Sequence, residues 1–266
     1  MPQRCFAWRY LWRPPLIFAP AVVQILPAMQ LFYQPGLKEG PWLLSEEETR
    51  HAIGVLRHRV GDRLRLIDGE GGWFTGEIVG IGKRDCQLMV YFDRRDAARA
   101  PYRLTLAVAP TKQMERLEWL VEKATETGID EIVPLLTQRG ERQQLRIDRL
   151  AKEAIAAAKQ SLQAWAPRIA PPTRLRELFA QRPQTEQRFI GWCESEDAPL
   201  LARNCKPLAD VMVLIGPEGD FTAEEVGFAQ ANGCLPISLG PTRLRTETAA
   251  LAACMTVQLI NQLKNH

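Results

Sequence analysis

The 266-residue sequence predicts an α/β protein in two parts, a small β-rich part followed by a larger part built on a parallel sheet. Three observations predict it. Between residues 29 and 93, short apolar stretches follow one another at the spacing of antiparallel strands. From Tyr102 onward, strand-length apolar runs alternate with segments of helical periodicity. Near the carboxyl end, two apolar runs (211–215 and 235–239) each stop at a glycine, turn, and lead into a helix with a good start signal.

Residues 1–28 read unlike the rest. They hold five prolines, Arg4, Arg9 and Arg13, no acid and no periodicity. The basic start and the apolar run 16–26 imitate a signal peptide, but Pro20 and Pro27 interrupt the run and no A-x-A site follows. The stretch is read as an upstream extension, with a targeting segment as the alternative.

In the β-rich part, residues 29–33 form a short strand. Ser45-Glu46-Glu47-Glu48 is a capping box opening a helix that runs to about Arg57. Residues 63–68 alternate polar and apolar as a half-buried strand does. Asp68-Gly69-Glu70-Gly71-Gly72 is a hairpin turn into strands 73–81 and 86–92. Strands so short and so close suggest a small barrel. Two basic clusters stand out: Arg57, His58, Arg59, Arg63 and Arg65, and then Arg94, Arg95 and Arg99. Either is a solvated face or a set of phosphate contacts. Residues 93–101, short and charged, are the linker.

In the larger part, residues 102–109 form a strand and Thr111 caps a helix with Leu117, Leu120, Val121 and Ala124 on its apolar face. Gly128 ends that helix. Strand 131–136 leads to Thr137-Gln138-Arg139. Helix 145–162 carries Ile147, Leu150, Ala154 and Ala158 at helical spacing. A loop at Pro171-Pro172 precedes a short helix, 173–180, and a strand, 188–193. Thr222 and Glu225 make a capping box for a helix ending near Gly233. Thr246 or Thr248 starts the terminal helix. Its stripe of Leu251, Met255, Leu259 and Ile260 is expected to dock on the sheet, leaving Ala249, Ala250, Ala252 and Ala253 for a partner.

Composition excludes several classes. The six cysteines are scattered without a C-x-x-C, so reduced cytosolic thiols are expected rather than disulfides or a zinc site. The three histidines make no metal-ligand pattern, and no apolar run spans a bilayer. The net charge of +3 is carried by residues 1–28, so any nucleic-acid binding rests on local basic clusters. No Gly-x-Gly-x-x-Gly follows an early strand, which argues against a dinucleotide-binding fold.

The two glycine turns read Leu214-Ile215-Gly216-Pro217-Glu218-Gly219 and Leu239-Gly240-Pro241-Thr242-Arg243-Leu244-Arg245-Thr246-Glu247-Thr248-Ala249-Ala250. Ligands gather at the carboxyl ends of strands in open α/β sheets, and glycine there lets the backbone come close to them. As a pair, in this order, the turns resemble the RsmE family of the SPOUT superfamily, over residues 29–263. The resemblance implies a PUA-like RNA-binding barrel at 29–95 and a trefoil-knotted α/β methyltransferase domain at 102–266. It implies a cytoplasmic homodimer that uses S-adenosylmethionine, without metal, to methylate N3 of a uridine in 16S ribosomal RNA, in an assembled or nearly assembled small subunit.

The same resemblance places the cofactor on Leu214, Ile215, Gly216, Pro217, Glu218, Gly219, Leu239, Gly240, Leu244, Arg245, Thr246, Thr248 and Ala249. Leu214, Leu239 and Leu244 would pack around adenine. Arg57, Arg59, Arg63, Arg94 and Arg95 would meet RNA. Uridine N3 must lose its proton before it attacks, so a base or a cation that stabilises the anion is needed. Arg139 and Arg245 are the candidate cations, Glu247 and Glu218 the candidate bases. Plain salt bridges for the arginines, and a helix-dipole role for Glu247, remain alternatives. The chain departs from the family at Gln30, where an arginine is common. Asp220 replaces the last glycine of Gly-Pro-Glu-Gly-Gly, and Gln160-Ser161-Leu162-Gln163 replaces Gln-Ser-Gly-Arg. Two further readings stay open: a methyltransferase of the same fold on another RNA base or a ribose hydroxyl, and a catalytically silent RNA-binding assembly factor.

Overall fold

Leu31, Phe32, Leu64, Leu66, Phe74, Ile78, Leu88 and Val90 are all shielded from solvent, and the first sheet is arranged to bury them. The structure, a computed structural model, describes residues 30–142, 144–182, 186–193 and 197–264, so the expected extension at 1–28 lies outside the described residues. This sheet contains β1 (Leu31–Tyr33), β2 (Gly40–Leu43), β3 (Arg63–Ile67), β4 (Gly72–Ile81) and β5 (Cys86–Arg95), in the order β1-β3-β4-β5-β2. Only the β1–β3 pair is parallel. Asp68 forms the β3–β4 turn: its Oδ1 accepts from the backbone N–H of Glu70 and of Gly72, both at 2.8 Å. No ladder joins the outer strands β1 and β2 among the described residues; the Gln34 side chain spans the seam instead. It accepts from Trp42 Nε1 at 3.3 Å and donates to Ser45 Oγ at 2.8 Å.

The helix expected to run to Arg57 stops early. Helix α1 is Glu46–Thr49, followed by a π-helical stretch, Arg50–Val55. Ser45 Oγ accepts from the Glu48 N–H as a cap should. The Glu48 carboxylate, however, accepts from Tyr33 N at 3.1 Å and pairs with Lys159 Nζ at 2.5 Å. Glu48 thus joins this sheet to the rest of the chain rather than closing a capping box.

The second sheet has seven strands, each parallel to its neighbour. They are β6 (Leu104–Val108), β7 (Glu131–Leu136), β8 (Arg168–Ile169), β9 (Thr173–Arg174), β10 (Gln187–Gly191), β11 (Val211–Ile215) and β12 (Cys234–Ile237). The order is β12-β10-β11-β6-β7-β8, with β9 also on β7. β6 and β11 are buried at every position, as parallel strands covered on both faces are. One face is covered by α2 (Met114–Thr127), α3 (Ile147–Gln160) and α7 (Thr246–Lys264). The other is covered by α4 (Leu175–Ala180) and α6 (Ala223–Ala231); α5 (Leu201–Asn204) packs beside α7. Gly128 ends α2 at φ +89°, and Thr222 with Glu225 completes a capping box on α6.

Three local expectations change. Thr111 does not cap α2: the cap position is Gln113, and the buried Thr111 hydroxyl donates to the Gln113 carbonyl at 2.7 Å. The last strand ends at Ile237, before Leu239, and lies at the sheet edge, where Pro236 breaks no inner ladder. Helix α7 docks by a rotated face: Leu251 and Ile260 of the expected stripe pack at the margin of the core, with small residues at its centre. Ala250, Ala253, Cys254 and Val257 are in the core, whereas Met255, Leu259 and Leu263 are 55%, 55% and 70% exposed. Small residues let the helix approach α2 and the sheet closely, so the large ones turn outward.

Candidate cofactor and RNA site

The first turn leaves β11 at Gly216, where backbone and ring pack closely. A Cβ on Gly216 would lie 3.1 Å from Phe221 Cδ2 and 3.2 Å from Phe221 N, and Phe221 is wholly buried beneath the turn. The Asp220 N–H donates to the Pro217 carbonyl at 2.9 Å, closing the turn. Asp220 itself stands at φ +62°, in the left-handed region that aspartate tolerates better than most residues. Its carboxylate accepts from Phe221 N at 2.8 Å and from Cys193 N, after β10, at 2.9 Å. Arg139, on the loop after β7, donates from Nη1 to the Gly219 carbonyl at 2.8 Å and to the Phe221 carbonyl at 3.4 Å. The Lys112 N–H, after β6, donates to Glu218 Oε1 at 3.3 Å. Loops from four strand ends therefore converge on this turn.

The second turn follows β12. Ser238 Oγ donates to the Gly240 carbonyl at 3.1 Å and accepts from the Gly240 N–H at 3.2 Å. Gly240 holds φ +137°, and no atom lies within 4 Å of where its Cβ would stand. The chain then enters α7, whose first turn is closed by Ala249 N donating to the Arg245 carbonyl at 2.8 Å. Thr246, 5% exposed, donates from Oγ1 to the Gly216 carbonyl at 3.1 Å. This one buried hydrogen bond brings the two turns together.

The remaining candidates fall into three groups. Pro217 is buried, whereas Glu218, Gly219, Arg245 and Thr248 are exposed and Leu239, Leu244 and Ala249 are half-buried. Leu214 and Ile215 are core residues on opposite faces of the sheet. Leu214 is wholly buried, so its side chain offers no surface to adenine. The Ile215 carbonyl is taken by Ala109 N at 2.9 Å. Glu247 is buried in the first turn of α7: Oε1 lies 3.7 Å from Arg116 Nη1, and Oε2 has no hydrogen-bond partner. Arg245 makes no ion pair or side-chain hydrogen bond among the described residues.

The basic clusters separate sharply. Arg57 (φ +60°) and Arg59 are exposed and make no ion pair among the described residues. Arg63 Nε is 3.7 Å from Glu77. Between them, Asp62 accepts from the Arg59 N–H at 2.9 Å and lies 3.1 Å from His58 Nδ1; these contacts, the backbone one first, hold its carboxyl below the usual range. The second cluster is structural. Arg94 stacks 4.6 Å over Trp73 and donates to Asp96 at 3.2 Å. Arg95 is committed to the buried Asp68 at 2.6 Å and to the Glu70 carbonyl at 2.6 Å, closing the hairpin. That pairing uses two of the five guanidinium donors, and the Arg95 side chain stays 45% exposed.

The residues at the two turns fit S-adenosylmethionine. Gly240 leaves open space beside its backbone for a ligand's close approach, and Glu247 Oε2 is a buried acceptor still lacking a donor. Sequence reasoning missed Lys112, Arg116 and Phe221. Lys112 and Arg116 lie on the loop after β6 and at the start of α2, both at the carboxyl end of a strand next to β11.

Comparisons with known proteins place the chain among RNA methyltransferases. A family model described as an RNA methyltransferase domain matches residues 98–258, and one described as an RNA methyltransferase PUA domain matches residues 44–90. The ribosomal RNA small subunit methyltransferase E of Rickettsia conorii is 32% identical over 223 residues, covering 82% of this chain and 89% of the relative. A probable rRNA-methyltransferase from Porphyromonas gingivalis superposes with a TM-score of 0.81 at 37% identity, covering 88% of this chain and 99% of that one. The ribosomal RNA small subunit methyltransferase E from Neisseria gonorrhoeae, bound to S-adenosyl methionine, gives 0.78 at 26% identity, covering 88% and 98%.

Proposed function

This chain belongs to the family of ribosomal RNA small subunit methyltransferase E, and we propose that it methylates N3 of one uridine in the small-subunit RNA. It is an S-adenosylmethionine-dependent rRNA methyltransferase. The observation that carries this reading is the Thr246–Gly216 hydrogen bond, which brings the two glycine turns together at the carboxyl end of the sheet, where ligands gather in such folds.

The bound cofactor supplies an activated methyl group, so the protein has mainly to position the two reactants. Backbone groups from Gly216 to Gly219 and from Leu239 to Ala249 would hold the adenosine moiety. Arg139 fixes the first turn through the Gly219 carbonyl. Arg245, exposed and without a side-chain partner among the described residues, would stabilise the uracil anion. Glu247 Oε2 is the proton acceptor proposed for N3–H, with Arg116 Nη1 3.7 Å from the other carboxylate oxygen. Arg57, Arg59 and Arg63 would meet phosphates, and the stacked Arg94 would contribute at their margin.

The rest of the proposal concerns assembly. The outward stripe of Met255, Leu259 and Leu263 on α7 suits the two-fold interface of a homodimer. In that dimer the β-rich part of one subunit would deliver RNA to the pocket of the other, in the cytoplasm and on the small subunit. None of the helices among the described residues is long and apolar enough to cross a membrane.

Mass mapping of methylated nucleotides in rRNA from a deletion strain, with and without the protein restored, tests the activity. A missing methyl at uridine N3 that returns on restoration is expected. A changed mark on another base or a ribose would replace the N3 assignment. Calorimetric absence of S-adenosylmethionine binding would favour a silent assembly factor.

A further inference from the structure

Behind the Arg139 loop lies a cavity of ≈ 290 Å³, the size of a small ligand pocket. Leu135, Leu136 and Thr137 at the end of β7, Leu175 on α4 and Phe228 on α6 form much of its wall. No residue from 214 to 219, or from 239 to 249, lines it, so it is distinct from the proposed methyl-transfer pocket. It is nevertheless next door. Gln138 and Gly140 both line it, and Arg139 between them holds the Gly219 carbonyl.

Three features of the lining point to one class of ligand. Arg176 stands 4.6 Å over the Phe228 ring, a guanidinium–aromatic platform of the kind on which unpaired bases stack. Thr137 Oγ1 and Arg142 Nε are buried without a hydrogen-bond partner, which disfavours the empty state and favours a ligand bearing acceptors. The lining acids are partly engaged by backbone: Glu225 accepts from Gln138 N at 2.8 Å and Thr222 N at 2.9 Å, and Glu177 accepts from Arg174 N at 3.4 Å. With Glu224 the lining carries three carboxylates against three guanidinium groups, so its net charge is balanced, and Arg174 and Arg176, which make no ion pair among the described residues, are the local cations left to meet a phosphate.

We propose that this cavity receives an unpaired nucleobase flanking the methylated uridine, stacked on the Arg176–Phe228 platform with its phosphate towards Arg174. The proposal rests on the RNA methyltransferase reading and adds a second recognition point to it. A base seated here would press on the Thr137–Gly140 loop, and through Arg139 on the cofactor turn, so that correct RNA also steadies the cofactor pocket.

The test uses the full chain with bound cofactor and a single-stranded RNA oligonucleotide spanning the methylated uridine. Each neighbouring nucleotide is replaced in turn by an abasic one. Arg176→Ala, at an exposed position, should weaken RNA binding about tenfold, within the range one stacked base contributes. Cofactor affinity in the absence of RNA should be unchanged. One abasic position should cost the wild type a similar factor and cost Arg176→Ala nothing further. Thr137→Val should weaken the same interaction with the same positional dependence. Unchanged RNA affinity in Arg176→Ala overturns the proposal, as does an abasic loss that adds fully to it. An Arg176→Ala defect that persists whichever neighbour is abasic would assign the cavity to another partner. Failure of the wild type to methylate small-subunit RNA would overturn the premise instead.

Discussion

Thr246→Val isolates the joint between the two turns. The substitution keeps the branched shape of a residue only 5% exposed and removes the hydroxyl that donates to the Gly216 carbonyl at 3.1 Å. A buried carbonyl left without its donor costs about 1–3 kcal/mol. In a chain of this size that lowers Tm by about 2–4 °C per kcal/mol. If the released turn must re-form when the cofactor binds, the same energy reappears as a loss of affinity of about 5- to 140-fold, by the usual conversion of about tenfold per 1.4 kcal/mol. Titration calorimetry with S-adenosylmethionine reads the affinity, and a thermal melt without ligand reads the stability. Thr246→Ser keeps the donor and should recover most of both. Wild-type affinity in Thr246→Val would show that this bond does not build the pocket. Equal losses in Thr246→Ser and Thr246→Val would assign the effect to the missing methyl.

Gly216→Val should abolish cofactor binding by pushing Phe221 and its backbone aside, whereas Gly240→Val, with open space around its Cβ, should act only through φ +137°. Undiminished affinity in both, by calorimetry, would show that the pocket lies elsewhere. Replacing Arg57 and Arg59 by alanine should flatten the dependence of RNA affinity on salt, by about 1.4 in the log–log slope if each meets one phosphate; an unchanged slope returns this cluster to a solvated face. Met255→Glu with Leu259→Glu should convert a dimer to monomers in sedimentation. Mixing an Arg57/Arg59 mutant with an Arg245 mutant should restore part of the activity if the site is shared. A wild-type monomer at micromolar concentration refutes the dimer. Burial pushes the thiols of Cys205 to about 11 and of Cys234 and Cys254 to about 12, so their thiolates stay scarce through pH 9 and rise only as pH approaches those values. Maleimide at pH 8 should therefore label the exposed Cys193 well before them, and early labelling of Cys254 in the native protein would contradict its burial.

What the sequence revealed of the fold follows the strength of local signals. Uniformly apolar β11 and the Thr222–Glu225 box on α6 needed no tertiary information to be read. Strand β2 was missed because Gly40-Pro41 argues against a strand, yet an edge position tolerates a proline. β8, β9 and α5 are too short, at two to four residues, to show a period. For helix α7 the expected stripe held at Leu251 and Ile260 but not at Met255 and Leu259, because large apolar side chains outweigh alanines in any local pattern. Its packing instead demanded small ones against α2 and β6. At the site, both glycine turns were legible. What joins them was not: Thr246 reaches back 30 residues to Gly216, and Arg139 reaches forward 80 to Gly219. Arg95 looked like a free cation because its partner, Asp68, is 27 residues away in the chain.

Apart from Gln30, the departures from the family pattern include two glycine positions where backbone conformation explains the glycine. Asp220 stands where the family often has the last glycine of Gly-Pro-Glu-Gly-Gly, and Leu162 where it has the glycine of Gln-Ser-Gly-Arg. Both hold left-handed backbone, at φ +62° and +58°. Aspartate suits such a position and here gains two backbone donors, Phe221 N and Cys193 N, so the turn keeps its shape and acquires a tie to β10. Leucine has no such compensation: it carries a left-handed penalty of about 1–2 kcal/mol with its side chain 41% exposed. The next residue accounts for the conformation being held. Gln163 Nε2 donates to the carbonyls of Thr125 at 2.9 Å and Glu126 at 3.2 Å, capping the carboxyl end of α2 where the family's arginine would stand. The arginine's charge is lost there, but a donor to that helix end is present. A motif match that counted residue types would score both positions as failures, whereas matching the sign of φ and the partner at the helix end keeps both.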